Sequence, residues 1–215
     1  MKKELIKRIF SSIILIPLAL FFIIKGSFYF NLFILACLLI TSYEWHMISK
    51  RKKYYYLGYI FLIFSFYCVY LLRLGPETES TLLFLFITLI CVSTDIGGYS
   101  FGKLLKGPKL TKLSPNKTYS GMIGGYFLSI ILTFIFIKLT YSYEFSFKVF
   151  TMKVLYIVIL ISSISQIGDI IISYFKRLAK MKDTGKIIPG HGGLLDRIDG
   201  MIFEFPTAYL ILKVL

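Results

Sequence analysis

Stretches of about 18 or more mostly apolar residues recur along this chain, and they leave few folds open. Each could cross a hydrocarbon layer ~30 Å thick as a helix. Inside that layer the backbone has no water to bond, so a spanning segment must be a helix or a strand of a closed barrel. Barrel strands alternate apolar and polar residues in segments of about ten. The runs here are continuous. The expected fold is therefore all-α, a polytopic integral membrane protein of about seven transmembrane helices. Their approximate ranges are 9–24, 28–48, 54–72, 81–101, 119–139, 149–172 and 201–215. Little is left for a soluble domain. The chain is read as one membrane domain, with N-terminal helices over residues 1–80 and the chemistry over 81–215.

Charge orients these spans. The net charge of +14 would suggest nucleic acid in a soluble protein. Here 19 of the 25 Lys and Arg fall in four segments: the chain start, residues 50–53, residues 103–117 and residues 176–197. In a seven-span chain all four lie on one side, as the bias of cytoplasmic loops toward Lys and Arg requires. No nucleic-acid partner is needed. The expected location is the inner (cytoplasmic) membrane, with the N-terminus and both long loops cytoplasmic. The start resembles a signal peptide, but no small-x-small cleavage site follows and Pro17 interrupts the run, so it is read as an uncleaved first span. Cys37, Cys68 and Cys91 sit in apolar runs without CxxC spacing, which implies neither a disulfide nor a zinc site.

Polar residues concentrate around the sixth span and the loop after it. Gln166, Asp169 and Ser173 stand at i, i+3 and i+7, so a helix places them on one face. Lys176 and Arg177 extend that face if the helix continues past the membrane surface. An acid in a span is costly and is by default a functional candidate. One acid, one hydroxyl and two cations suit a metal and the phosphates it bridges. The bland alternative is an ordinary span end with snorkelling cations. Pro189-Gly190-His191-Gly192-Gly193 allows positive φ and close approach of amides to an anion. His191 fits ligand contact better than proton transfer. In Asp196-Arg197-Ile198-Asp199 two carboxylates flank a guanidinium, and Mg²⁺ takes one or two carboxylates plus substrate phosphates. A helix N-terminus would explain one of those acids but not the cluster.

The preceding basic loop adds a second group. Asp95 lies in or at the end of the fourth span, followed by Gly97, Gly98 and Gly102, which permit close helix packing. Asn116 and Lys117, beside Ser114 and Thr118, are candidate phosphate contacts.

Together these residues resemble the phosphatidate cytidylyltransferase (CDP-diacylglycerol synthase) family. Residues 173–199 look like its long C-terminal signature: Ser-x-x-Lys-Arg, then Lys182-Asp183, then Pro-Gly-His-Gly-Gly-x-x-Asp-Arg-x-Asp. Gln166-x-Gly168-Asp169 is similar to the family's Gln-x-Gly-Asp. The segments at Asp95–Tyr99 and Ser114–Thr118 look like its Asp-Thr-Gly-Ala-Tyr and Ser-Pro-Asn-Lys-Thr. Ile96, Ser120 and Gly200 depart from the family's usual Thr, Glu and Ser.

The resemblance implies transfer of CMP from CTP to phosphatidic acid within a bilayer, by a homodimer, with Mg²⁺ and room for a second cation such as K⁺. In that reading Asp169 and Asp196 hold the metal with support from Asp199, and Ser173 positions phosphate or metal-bound water. Lys176, Arg177 and Arg197 bind phosphates, with Lys117, Asn116, Lys182, Asp183, His191, Gly192, Gly193 and Asp95 around the substrate. A CTP-dependent polyprenol or phytol kinase is the nearest rival, separated by its release of CDP rather than pyrophosphate. A transporter using Asp95 and Asp169 would show flux without nucleotide. A basic lipid-binding scaffold would leave the acids and glycines without a purpose.

Overall fold

The computed structural model describes residues 2–111, 114, 117–140, 152–190 and 192–214. Seven helices make up this part: α1 (Lys2–Lys25), α2 (Ser27–Ser49), α3 (Tyr55–Leu72), α4 (Glu77–Leu105), α5 (Tyr119–Thr140), α6 (Met152–Leu178) and α7 (Met201–Val214). Strands are absent among the described residues, and two isolated bridges, Lys109 with Thr118 and Ile188 with Gly192, pinch the two long loops. Five helices, α2 to α6, are long and apolar enough to cross a membrane, and the apolar stretches Phe10–Lys25 and Met201–Leu212 are shorter. Large apolar side chains are exposed along every helix. This is the surface of a multi-pass membrane protein, whose outer solvent is lipid.

Helix α4 is longer than its expected range of 81–101. Pro76 stands at its N-cap and Glu77 and Glu79 occupy its first turn, where acids favour the helix dipole. The polar residues expected to form a turn therefore begin the helix. At the far end α4 runs to Leu105 and stops at Lys106, in left-handed conformation with φ 46°. Helix α6 continues to Leu178 and keeps Lys176 and Arg177 in its last turn.

Glycines set the most intimate helix pair. A Cβ at Gly121 of α5 would lie 2.6 Å from the Gly98 carbonyl oxygen of α4, and one at Gly97 would collide with Gly124. Only bare backbone allows that approach, which fixes Asp95 and the start of α5 against each other. Helix α7 is held differently. Pro206 has no N–H for the carbonyl of Ile202 one turn back. Ser65 of α3 donates its hydroxyl to that carbonyl instead.

Two apolar clusters fill the bundle. One gathers Phe30, Phe84, Phe86, Ile87, Ile157, Val158 and Phe205. The other, including Trp45, Leu62, Phe66, Ile172, Leu195 and Ile202, lies under the loop joining α6 to α7. Contacts sort the connectors by end. Arg73 donates to the Ile23 carbonyl and to Ser80, so the 26, 73–80 corner forms one end. The described residues of the 50–54, 106–118 and 179–200 connectors gather at the other, through contacts described below.

Candidate active site

The sixth helix supplies the spine of the site. Ser173 donates to Asp169 Oδ1 at 3.3 Å, one turn back. Lys117, just before α5, reaches Asp169 Oδ2 at 2.5 Å and the Gln166 carbonyl at 3.3 Å. The helix face expected from the spacing is thus one face. The earlier basic loop closes over it, carried there by the glycine contact of α4 with α5.

Acids crowd the same point. Asp199 is buried, and its own backbone neighbour Gly200 N donates to Oδ1. Burial pushes the Asp199 carboxyl well above the usual carboxylate range, with the charges of Asp169 and Asp95 acting in the same direction and Lys176 against them. Asp95 faces the charges of Asp169, Lys117 and Arg197. Asp95, Asp169 and Asp199 therefore form one electrostatic unit, drawn from α4, α6 and the loop just before α7.

Asp196 does other work. Its Oδ1 accepts from Lys176 at 2.8 Å, and its Oδ2 accepts from the amides of Thr184 at 2.8 Å and Gly193 at 3.0 Å. The structure pairs Asp169 with Asp199, while Asp196 ties the long loop to the end of α6. The glycine run has a similar character. Gly190 and Gly192 take positive φ, 78° and 90°, as expected. Yet the Gly192 amide donates to Ile188 and the Gly193 amide to Asp196. Those amides serve the loop's own turn rather than an open anion cradle.

The other candidates lie around this centre. Arg177 is exposed and donates to the Met181 carbonyl at 3.4 Å, sealing the end of α6. Lys182 and Asp183 are exposed on the loop. Arg197 is exposed between the two acids. Asn116 and His191 lie outside the described residues.

One residue escaped the sequence reading. Glu44 of α2 is fully buried beneath the loop. Its Oε1 accepts from Leu194 N at 2.8 Å, and its Oε2 from Leu195 N at 2.7 Å and Thr184 Oγ1 at 3.0 Å. An acid five residues before the end of an apolar span was the only available signal. Its neighbour Trp45 is also buried. Its ring packs against Phe175 and Tyr54, its Nε1 donates to the Tyr55 carbonyl, and Gly58 leaves room for it.

The donor set suits a hard divalent cation. Among the described residues no three Asp, Glu, His or Cys side chains converge to hold a metal alone. Two neighbouring carboxylates, one buried and one partly exposed, with further ligands from phosphate and water, match the usual Mg²⁺ pattern.

Comparison with known proteins gives the chemistry a context. The family model described as the cytidylyltransferase family matches residues 6–76 and 59–215. A phosphatidate cytidylyltransferase of Rickettsia typhi is 35% identical over 97% of this chain and 92% of its own. Proteins of the same name from Staphylococcus aureus strain COL and Staphylococcus saprophyticus are 40% and 39% identical over 129 residues, 60% of this chain. That match spans about half the length of the staphylococcal relatives (48% of each).

Proposed function

Since the chain belongs to the cytidylyltransferase family, we propose that it transfers CMP from CTP to phosphatidic acid, forming CDP-diacylglycerol and pyrophosphate. The observation that carries this reading is the cluster of Asp95, Asp169 and Asp199, faced by Lys117, Lys176 and Arg197 at the basic end of a membrane bundle. The lipid acceptor comes from the name shared by the bacterial relatives.

In this reaction a phosphate oxygen of phosphatidic acid attacks the α-phosphorus of CTP. A new P–O bond forms, the bond to the β-phosphate's bridging oxygen breaks, and its electron pair leaves with pyrophosphate. The attacking oxygen is already ionised near neutral pH, so no strong base is needed, and His191 is assigned to binding. Asp169 and Asp199 are the residues that would hold Mg²⁺, with K⁺ as a second cation beside it. Bound there, the metal supplies charge neutralisation for the triphosphate and its leaving group. Ser173 fixes the rotamer of Asp169, and Asp95 adds negative potential behind the pair. Lys176 and Arg197 meet phosphates, Lys117 bridges the acid pair to the acceptor phosphate, and Asp196 holds Lys176 in line. Arg177, Lys182 and Asp183 are assigned to the approach of the nucleotide, and Asn116, outside the described residues, to substrate binding. Acyl chains enter sideways from lipid, which accounts for a site at the membrane surface.

The basic end is assigned to the cytoplasm and the protein to the inner membrane, as a homodimer. The test uses purified protein in detergent with phosphatidic acid, Mg²⁺ and CTP labelled in the base or the γ-phosphate. Base label in the organic phase, lost with EDTA and in Asp169→Asn, is the expected result. Organic label from the γ-phosphate alone would make the protein a lipid kinase, and no transfer from either position would overturn the reading.

A further inference from the structure

We infer that Glu44 is a positioning residue for the reaction: its carboxylate fills the anion-binding nest of the glycine turn and so sets the place of the Asp196–Asp199 segment. The inference rests on the function proposed above for the consequence to turnover, but not for the geometry.

The nest is built from the Leu194 and Leu195 amides and the Thr184 hydroxyl, all donating to one carboxylate. After it the chain makes a helical turn, with the amides of Arg197 and Ile198 donating to the Leu194 carbonyl. Leu194 and Leu195 therefore present the unpaired N–H groups that open a turn of helix. Such a place attracts an anion such as phosphate. Here an acid from α2, some 150 residues earlier in the chain, occupies it.

The fit is close on all sides. A Cβ at Gly185 would stand 2.8 Å from Glu44 Oε1, and one at Gly193 2.6 Å from Oε2. Glu44 is thus surrounded by loop backbone, with no room for a substrate phosphate beside it. Substrate phosphates are left to the Lys176 and Arg197 side of the turn. The segment that Glu44 grips carries Asp196, Arg197 and Asp199, one to five residues on. Trp45 anchors the same stretch of α2 to α6 through Phe175, so the grip refers the loop to the helix that carries Asp169.

The chemistry requires a carboxylate. A glutamine offers one oxygen, so its NH₂ would face either the Leu194 or the Leu195 N–H, donor against donor. Glu44→Gln should release the loop without removing bulk from the core.

The test is limited trypsin digestion of the full chain in detergent, read at two places. Lys180, Lys182 and Lys186 are exposed on the gripped loop, and Lys106 and Lys109 are exposed on the other basic loop. In Glu44→Gln, cleavage at 180–186 is expected to quicken about tenfold, the loss of a charged hydrogen bond raising the open population. Cleavage at Lys106 and Lys109 should stay unchanged. The Mg²⁺ concentration for half-maximal transfer should rise about tenfold or more, as when a partner that orients a metal ligand is removed. Equal acceleration at both loops would show general destabilisation and overturn the inference, as would no change at either. Loop-specific cleavage in a protein that transfers no CMP would support the grip and overturn only the proposed reaction.

Discussion

Gly193 has no space for a side chain: a Cβ there would collide with Thr184 Oγ1 and stand 2.6 Å from Glu44 Oε2. Both are held atoms, so the backbone would have to yield. Gly193→Ala is expected to lower stability by about 1–3 kcal/mol and to reduce transfer, as measured by thermal unfolding and the CTP-label assay. Lys176→Met makes a different point. It leaves Asp196, with only 4% of its side chain exposed, without its cation. Removing one partner of such a pair costs about 3–5 kcal/mol when fully buried, and more than the lost attraction alone. The double variant Lys176→Met with Asp196→Asn should regain part of that stability in the same melting experiment. Residues joined by local spacing were legible from sequence, because Asp169 and Ser173 are one helical turn apart and meet whatever the rest does. Glu44 was not legible. Its three partners lie 140 to 151 residues away, and no short-range pattern marks it. The closeness of Asp169 and Asp199 was hidden for the same reason: the expected ligands were Asp169 and Asp196 with Asp199 in support, and the oxygens of Asp196 are engaged by Lys176 and two amides.

At the scale of helices, the seven apolar runs matched seven helices because continuous apolar sequence has few alternatives in a bilayer. Their ends were less legible. Residues 77–80 looked like turn, yet the N-cap proline and first-turn acids make them helix. Contacts between helices were legible only where glycines implied them, as between α4 and α5. The bond from Ser65 to the Ile202 carbonyl was invisible, since Pro206 announces a missing donor but not its replacement. The pair can be dissected. Ser65→Ala should cost about 1–3 kcal/mol by leaving a buried carbonyl unsatisfied. In a Pro206→Ala background, where the helix supplies its own N–H, that cost should largely vanish. A double-mutant cycle in thermal unfolding reads the coupling, and additive effects would refute it.

For the whole molecule, sequence carried the sidedness through charge alone, and the structure gathers the basic connectors at one end through the contacts of Glu44, Trp45 and Lys117. A cysteine introduced at Lys182 should react with an impermeant maleimide only after the cell membrane is opened, and reaction in intact cells would reverse the assigned orientation. The grip on the glycine turn also has a consequence in time. Glu44 is synthesised early and its partners about 150 residues later. At roughly 5–20 residues per second the delay is on the order of ten to thirty seconds. During that interval the Glu44 carboxylate is without its loop partners, and the loop after α6 arrives at an acid made earlier. The loop is thus gripped only after its later-made partners have joined Glu44, so the two sides of the site become competent together.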